Sequence, residues 1–257
     1  MKIDDSGDTL TITKETQATT DSAANHWFKD NGTYVLESKS NGKVQVWKWN
    51  GADPPTVVGE VDVNGNNTGS IQALCFDPDD PAKAYFYQKA GTDAGNVYSV
   101  DLRSPSLTKT TLFKFDHWVF SITPRGGTAT WYNGTLTSGL WTIEKQSDGT
   151  DNYFVFSGSY SYTPSGGTAT TVGAVFTVKN PASTDSFGGT VTGGTADTGT
   201  MDATGKVSVE TFNAPWGTAV RTLKTFKSTS GDVYFAAKNY TANGAASNYK
   251  MVLKKLN

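Results

Sequence analysis

Short apolar runs separated by turn residues constrain the fold of this chain more than any other feature of its sequence. Between residues 22 and 63 there are four such runs, and Asn31-Gly32 and Asn41-Gly42 separate the first three. Asn-Gly is the strongest short-range hairpin signal because both residues tolerate the positive φ of a tight turn. The segment therefore predicts an antiparallel meander of four strands. They are Asn25 to Asp30, Thr33 to Ser38, Lys43 to Trp49 and Thr56 to Val63.

The same plan recurs along the rest of the chain. A second set of four runs is Ser70 to Phe76, Ala82 to Gln88, Asn96 to Leu102 and Thr110 to Phe115. Later parts of the sequence predict further units, whose first strands recur at intervals of roughly 45 to 56 residues, as in known repeats of four strands. The predicted units span residues 22–63, 69–116, 117–162, 172–212 and 219–256.

A repeated octapeptide competes with this division. Residues 123–130 and 163–170 are identical except that Arg125 corresponds to Ser165. Their offset of about forty residues disagrees with the spacing of the third and fourth units. Either a hairpin connection was used twice, or the boundary between these units is misplaced.

A candidate strand at residues 9–13 precedes the first unit, while the last unit supplies only about three strands. We expect the N-terminal strand to pair with the C-terminal strands, since this pairing removes two exposed sheet edges. The whole pattern resembles the β-propeller superfold. That resemblance implies an all-β, five-bladed β-propeller in one domain over residues 1–257, with the N-terminal strand closing the last blade. A β-sandwich or a fibre-like β domain is the alternative.

Composition narrows the function classes. The formal net charge is −2, so no basic surface for nucleic acid is expected. No apolar run is long enough to span a bilayer, and the polar residues 1–6 do not resemble a secretory signal. We therefore expect synthesis in the cytoplasm and no membrane insertion. The single cysteine, Cys75, lies in an apolar run, which predicts a buried, inert thiol.

No complete metal or cofactor site is evident. His26 and His117 are the only histidines and stand at predicted first strands, but zinc needs three or four protein ligands. Asp62, Asn64 and Asn66 begin like a calcium loop that lacks the later glycine and glutamate. Structural roles are favoured for all five residues, and no cofactor or metal is predicted.

Aspartate carboxylates are the candidate catalytic groups of this sequence. The segment Asp77 to Pro81 predicts a rigid surface loop first and a cation site second, because it contains two prolines. Glycoside hydrolysis needs two carboxyl groups about 5 to 9.5 Å apart. Asp30, Asp77 and Asp116 lie beside predicted first strands, but no first strand carries a convincing glutamate partner. We predict that the protein is not an enzyme.

Aromatic residues beside Gly-, Thr- and Ser-rich turns are the candidate ligand-binding residues. An exposed ring next to hydroxyl and amide groups is suited to holding a sugar, whereas packing between blades is the alternative role. The six candidates are Trp131, Tyr132, Trp141, Tyr160, Tyr162 and Trp216.

The Thr-, Gly-, Ser- and Asn-rich, low-charge composition resembles that of bacteriophage virion proteins. This resemblance implies a non-enzymatic structural, decoration or attachment component of a virion. Other virion proteins and cell-surface glycans are the expected partners. A carbohydrate-binding lectin propeller and a propeller glycosidase are the alternatives, because a fold does not fix a function.

Overall fold

A computed structural model describes most of the chain. The described residues are 2–4, 11–13, 27–49, 55–115, 118–122, 130–135, 140–163, 170–187, 206–212, 219–240 and 251–256. Every regular element within these ranges is a β-strand, and no helix occurs among them. The described part of the chain is therefore all β, as predicted.

The strands are numbered β1 to β20 along the chain. Their bounds are β1 Lys2–Asp4, β2 Thr11–Thr13, β3 Trp27–Asp30, β4 Tyr34–Ser38, β5 Lys43–Lys48, β6 Thr56–Asp62, β7 Leu74–Phe76, β8 Lys83–Tyr87, β9 Asn96–Asp101, β10 Lys109–Phe115, β11 Trp118–Ile122, β12 Thr130–Thr135, β13 Leu140–Ser147, β14 Asn152–Thr163, β15 Thr170–Lys179, β16 Ser186–Phe187, β17 Val207–Phe212, β18 Ala219–Lys227, β19 Val233–Tyr240 and β20 Met251–Lys255.

These strands form an N-terminal hairpin of β1 and β2 and four larger sheets. Sheet I contains β3 to β6 in chain order. Sheet II contains β7 to β10, also in chain order, with β16 added in parallel beside β10. Sheet III contains β11 to β15 and β17, and sheet IV contains β18 to β20. All described pairings except that of β10 with β16 are antiparallel.

Seven of the eight strands β3 to β10 lie within the runs predicted from the sequence, and β10 begins one residue before its predicted run, at Lys109. Strand β16 of sheet II was not predicted. A turn forms at both Asn-Gly pairs, but only the glycine of each pair adopts positive φ, 82° at Gly32 and 78° at Gly42. The Asn31 side chain accepts hydrogen bonds from the backbone N–H groups of Thr33 and Tyr34 at 3.1 and 2.8 Å. Each asparagine fixes the backbone just before the next strand, which sets the strand register.

The predicted boundary between the third and fourth units is wrong. Strands β14 and β15 pair continuously from Tyr153 with Lys179 to Tyr162 with Thr170, so residues 117–162 and 172–212 contribute to one sheet. The repeated octapeptides at 123–130 and 163–170 each connect antiparallel neighbours, β11 with β12 and β14 with β15. Reuse of a hairpin connection therefore explains the repeat.

The predicted pairing of the N-terminal strand is also wrong. Residues 11–13 form β2, whose partner is β1 at residues 2–4 rather than a C-terminal strand. A partner a few residues away costs little loop-closure entropy, which favours the local hairpin. Sheet IV accordingly has three strands among the described residues.

The four larger sheets pack in chain order through apolar clusters. In β8, Phe86 faces sheet I and Tyr85 faces sheet III. In β14, Phe154 faces sheet II and Val155 faces sheet IV. Alternation along each strand thus supplies two apolar faces, so sheets II and III are buried on both sides.

Aromatic rings fill the space between sheets II and III. The Phe115 ring stacks on Phe156 with centroids 5.0 Å apart and meets the edge of Phe176 at 5.3 Å. The Phe113 and Phe154 rings form a T-shaped, edge-to-face pair with centroids 5.2 Å apart. Such pairs add about 0.5 to 1.5 kcal/mol each beyond the apolar area that they bury.

One strand from each of the four sheets lies next to its counterpart in the neighbouring sheet, and these strands are β3, β7, β13 and β18. Strand β13 contacts both β7 and β18, and β3 contacts β7. The predicted third unit begins at residue 117, which would make β11 its first strand and the one that faces the neighbouring units. The structure assigns this position to β13, because β13 rather than β11 packs between sheets II and IV.

We predict that Gly42→Ala destabilises the protein more than Gly32→Ala. Both glycines adopt positive φ, which costs an alanine about 1 kcal/mol. A Cβ at Gly32 would meet nothing within 4 Å, whereas one at Gly42 would collide with the carbonyl oxygen of Asn67 and the Cβ of Asn64. Urea unfolding should show an additional loss of about 1 to 3 kcal/mol at Gly42. Equal losses would contradict the packing of this turn against the loop that follows β6.

Candidate functional site

A buried charge cluster lies between sheets II and III. Asp77 follows β7 directly, and its side chain is 7% exposed. The Lys145 ammonium of β13, 8% exposed, lies 3.1 Å from Asp77 Oδ1 and 3.1 Å from Asp79 Oδ2. The predicted turn is present, since the Asp79 backbone N–H donates to Asp77 Oδ1. The predicted surface position is wrong for Asp77, because its carboxylate turns inward to meet Lys145.

Tyr85 completes this cluster. Its hydroxyl donates to Asp77 Oδ2 at 2.5 Å. Burial opposes ionisation of Asp77, but the hydrogen bonds from Tyr85, the Asp79 backbone and Lys145 outweigh it and lower the pKa of the carboxyl. Burial and the bond to Asp77 raise the pKa of the Tyr85 hydroxyl. Asp77 is therefore held as a carboxylate and Tyr85 as a neutral donor.

A cavity of about 340 Å³ opens beside the cluster, and we call it the inter-sheet cavity. It lies within the size range of small-molecule sites. Its lining residues are Asp77, Lys83, Tyr85, Leu112, Lys145, Asn152, Phe154, Asn180 and Pro181.

A second cavity, of about 410 Å³, also has Lys83 on its lining, and we call it the sheet II cavity. Hydroxyl and charged groups dominate its lining. These residues are Asp80, Lys83, Ser99, Asp101, Arg103, Ser104, Thr108 and Thr110. Lys83 lines both cavities, which makes them neighbours along one surface of sheet II.

Glu144 of β13 joins sheet III to sheets I and IV. Its Oε1 atom lies 3.4 Å from Lys29 Nζ of β3 and 3.1 Å from Lys224 Nζ of β18. Cys75 of β7 is buried nearby, and burial first and the Glu144 carboxylate second raise the pKa of its thiol. The prediction of a buried cysteine is confirmed, and the raised pKa keeps the thiol protonated.

The structure describes the side chain of none of the six aromatic residues that were predicted to bind a ligand. Trp131 and Tyr132 belong to β12, Trp141 to β13, and Tyr160 and Tyr162 to β14. In the backbone register Tyr162 pairs with Gly134, two residues from Tyr132. Strands β12 and β14 are thus adjacent where these residues occur. Trp216 lies outside the described residues, so the predicted site stays a prediction.

The other sequence candidates have local roles or fall outside the described ranges. Asp30 Oδ1 accepts a hydrogen bond from the Gly32 backbone at 2.7 Å, so this carboxylate stabilises the turn after β3. His26, His117 and Asp116 lie outside the described residues.

The Asp62, Asn64 and Asn66 segment forms the polar turn that the sequence favoured. Both Asp62 carboxylate oxygens accept from the Asn66 backbone N–H, at 3.1 and 3.0 Å. The buried Asn64 side chain donates to the Gly69 carbonyl and accepts from the Lys89 backbone. These bonds connect the loop after β6 to sheet II.

Sequence reasoning missed Lys83, Glu144 and Lys145. Glu144 and Lys145 are adjacent charged residues that directly follow the apolar Ile143, and neighbouring residues of a strand point to opposite faces of the sheet, so this signal was available. What was missing was the position of β13 between sheets II and IV. Within the described residues, no group of three or more His, Cys, Asp or Glu side chains could hold a metal ion.

We predict that Asp77→Asn lowers the free energy of unfolding by about 3 kcal/mol, because it leaves the buried Lys145 charge without its main partner. Asp79→Asn is the matched control, since the Asp79 carboxylate is 66% exposed. Its expected cost is below about 1 kcal/mol. Urea unfolding at neutral pH measures both, and equal losses would contradict the buried pair.

The contribution of Asp77 to the free energy of unfolding depends on pH, and the same variant measures it. The folded pKa of Asp77 is below its ordinary value of 3.8, so its ionised form stabilises the protein above pH 3.8. That contribution is lost as pH falls below 3.8 and through the folded pKa. The stability difference between wild type and Asp77→Asn should therefore shrink in that window. A difference that grows on acidification would contradict the assignment.

Comparisons with known proteins add little to this site. No protein-family model matches the chain, and no curated protein matches it. None of the described residues forms a helix long and apolar enough to cross a membrane. Solved structures similar to the chain include the endo-arabinase from Bacteroides thetaiotaomicron VPI-5482, with a TM-score of 0.34 and 14% identity, over 90% of this chain and 74% of that one. This likeness is too weak to carry an argument, so the all-β assignment rests on the strands described above.

Proposed function

We propose that the chain is a non-enzymatic structural or attachment module of a bacteriophage virion. The observation that carries this proposal is that buried groups of β13 form ion pairs with residues of three other sheets. Lys145 of sheet III pairs with Asp77 at the end of β7, and Glu144 bridges lysines of sheets I and IV. Cross-sheet ion pairs of this kind favour one fixed arrangement of the sheets, as a rigid exterior module requires.

The sheets are, in this proposal, consecutive blades of a propeller. Support comes from strands β3, β7, β13 and β18, one from each sheet, which neighbour one another in chain order. Lys29 of β3 and Lys224 of β18 both contact Glu144 Oε1, which brings the first and last of these strands to one point. A radial arrangement accounts for this convergence, since blades surround a common axis.

Attachment is the form of this function that the surface favours. The inter-sheet cavity and the sheet II cavity are lined by amide, hydroxyl and charged groups. Such groups orient polar ligands, including sugars. Carbohydrate binding is therefore the second candidate function, and it is compatible with a virion attachment role.

We predict that Glu144→Gln lowers the free energy of unfolding by about 1 to 2 kcal/mol and increases hydrogen exchange in β18. Two lysines lose their shared carboxylate partner in this variant. The expected loss of stability is small because the Lys224 side chain is 67% exposed, so solvent screens its contact with Glu144. Glu60→Gln is the matched control, because Glu60 also contacts two lysines, Lys39 and Lys43. These three residues lie within or next to sheet I, so this variant breaks no contact between sheets. Its expected cost is below about 1 kcal/mol, with β18 unchanged. Unchanged exchange in β18 of Glu144→Gln would contradict the bridging role.

Virion assembly predicts a fixed copy number. Cryo-electron microscopy and quantitative mass spectrometry of the purified source particles should find the chain in a constant ratio to the major capsid protein. This ratio should survive repeated purification, because a structural component is bound at defined positions. A protein recovered only free in solution would rule out the virion assignment.

A further inference from the structure

Sheets I and IV stand at the two ends of the packing order, and each packs against its neighbour through one face. Leu36 and Val46 of sheet I face sheet II, and Phe235 and Val252 of sheet IV face sheet III. The opposite side of each sheet is its terminal face. We propose that the terminal face of sheet IV in one copy of the chain docks on the terminal face of sheet I in a second copy. The inference goes beyond the proposed function and does not depend on it.

Exposed apolar side chains are concentrated in the two end sheets. Among the described residues, every large apolar side chain that is well exposed belongs to sheet I or IV or directly follows one of their strands. They are Phe28, Trp49 and Val57 in sheet I and Phe226, Met251 and Leu253 in sheet IV, with exposed fractions from 39% to 76%. Sheets II and III have a neighbour on both sides and show none among their described side chains. An apolar surface that recurs in this way marks an interaction site.

The strand register places the exposed residues of sheet I on its terminal face. Trp47 of β5 pairs with Val35 of β4 and Val57 of β6. Phe28 of β3 pairs with Glu37, and the Glu37 carboxylate accepts a hydrogen bond from the Trp47 indole at 3.1 Å. Paired residues point to the same side of a sheet. The terminal face of sheet I is therefore an apolar band that crosses all four strands.

Sheet IV has a matching band. The Phe226 ring stacks on the Tyr234 ring with centroids 5.5 Å apart. Ala236 follows on the same side of β19 and pairs with Leu253 of β20, and Met251 lies two residues before Leu253. These five residues alternate with core residues of the same strands, so they share the terminal face of sheet IV.

The two terminal faces carry opposite charge among the described side chains. Sheet I has four carboxylates against two ammonium groups at terminal-face positions, and these residues are Asp30, Glu37, Glu60, Asp62, Lys39 and Lys43. Sheet IV has Lys238 and Lys255 against Asp232, which pairs with Lys255. Lys224 adds a further ammonium to this side, although Glu144 binds it.

This difference in charge selects the partner. Sheet IV docked on sheet I of another copy brings opposite charges together, whereas sheet I on sheet I or sheet IV on sheet IV brings like charges together. The contact is therefore heterologous, and each copy in a pair keeps one terminal face that can bind a further copy. Such an interface produces rings or open chains of copies rather than a symmetric dimer.

Sedimentation velocity of the purified full chain tests self-association. We expect the average mass to rise with concentration beyond that of a dimer. Each terminal face is only three or four strands wide, so the interface is small and its dissociation constant should lie in the micromolar range. A wild-type chain that stays monomeric at about 1 mM would overturn the proposal.

Two variants disrupt one face each. Leu253→Glu places a carboxylate on sheet IV, where it would meet the acidic face of sheet I, and Val57→Lys places an ammonium on sheet I, where it would meet the basic face of sheet IV. Each should weaken self-association at least tenfold. Thr111→Glu and Thr111→Lys are the matched controls, because Thr111 is exposed in β10 of sheet II, outside both terminal faces. We expect wild-type association of the controls and urea unfolding near that of wild type for all four variants.

A mixture of the two disrupted variants tests the head-to-tail geometry. Leu253→Glu keeps an intact sheet I face and Val57→Lys keeps an intact sheet IV face, so an equimolar mixture should form a heterodimer and no larger species. Unchanged self-association of either variant alone, an equal loss in the Thr111 controls, or a mixture that stays monomeric would overturn the docking assignment. A fixed copy number on the particle together with a monomeric wild-type chain would overturn only this inference and leave the proposed function in place.

Discussion

Sheets that are apolar on both faces cannot be stable alone, and this constraint organises the described structure. Sheet II buries Phe86 on one face and Tyr85 on the other, and sheet III does the same with Val155 and Phe154. Each of these sheets therefore needs a neighbour on both sides. Packing in chain order supplies them, since sheets I and IV cover the outer faces of sheets II and III.

Polar groups buried where sheets meet need hydrogen-bond partners, because burial removes most of their contact with water. Asp77 and Lys145 pair between sheets II and III, and the Tyr85 hydroxyl donates to the second carboxylate oxygen of Asp77. This cluster helps to hold the two sheets together, because the Lys145 ammonium of sheet III depends on the carboxylates of Asp77 and Asp79, which follow β7.

Local signals predicted the elements that depend on local interactions. The turns at Gly32 and Gly42 and the strands of sheets I and II follow from Asn-Gly pairs and alternating apolar residues. Non-local choices were beyond the sequence. The sequences of β11 and β13 contain no signal that shows which of the two strands packs between neighbouring sheets. The ion pair of Lys145 with Asp77 could not be predicted either, because the two residues are 68 positions apart in the chain. The N-terminal strand was also misassigned, because edge protection was given more weight than the entropy of closing a short hairpin.

Contacts between aromatic rings of sheets II and III test the packing order most directly. Nuclear Overhauser spectroscopy on protein with selectively labelled phenylalanine measures them in solution. The account predicts cross-peaks from the Phe115 ring of β10 to the Phe156 ring of β14 and the Phe176 ring of β15, whose centroids lie 5.0 and 5.3 Å away. Cross-peaks from Phe115 confined to its own sheet, with none to β14 or β15, would contradict it.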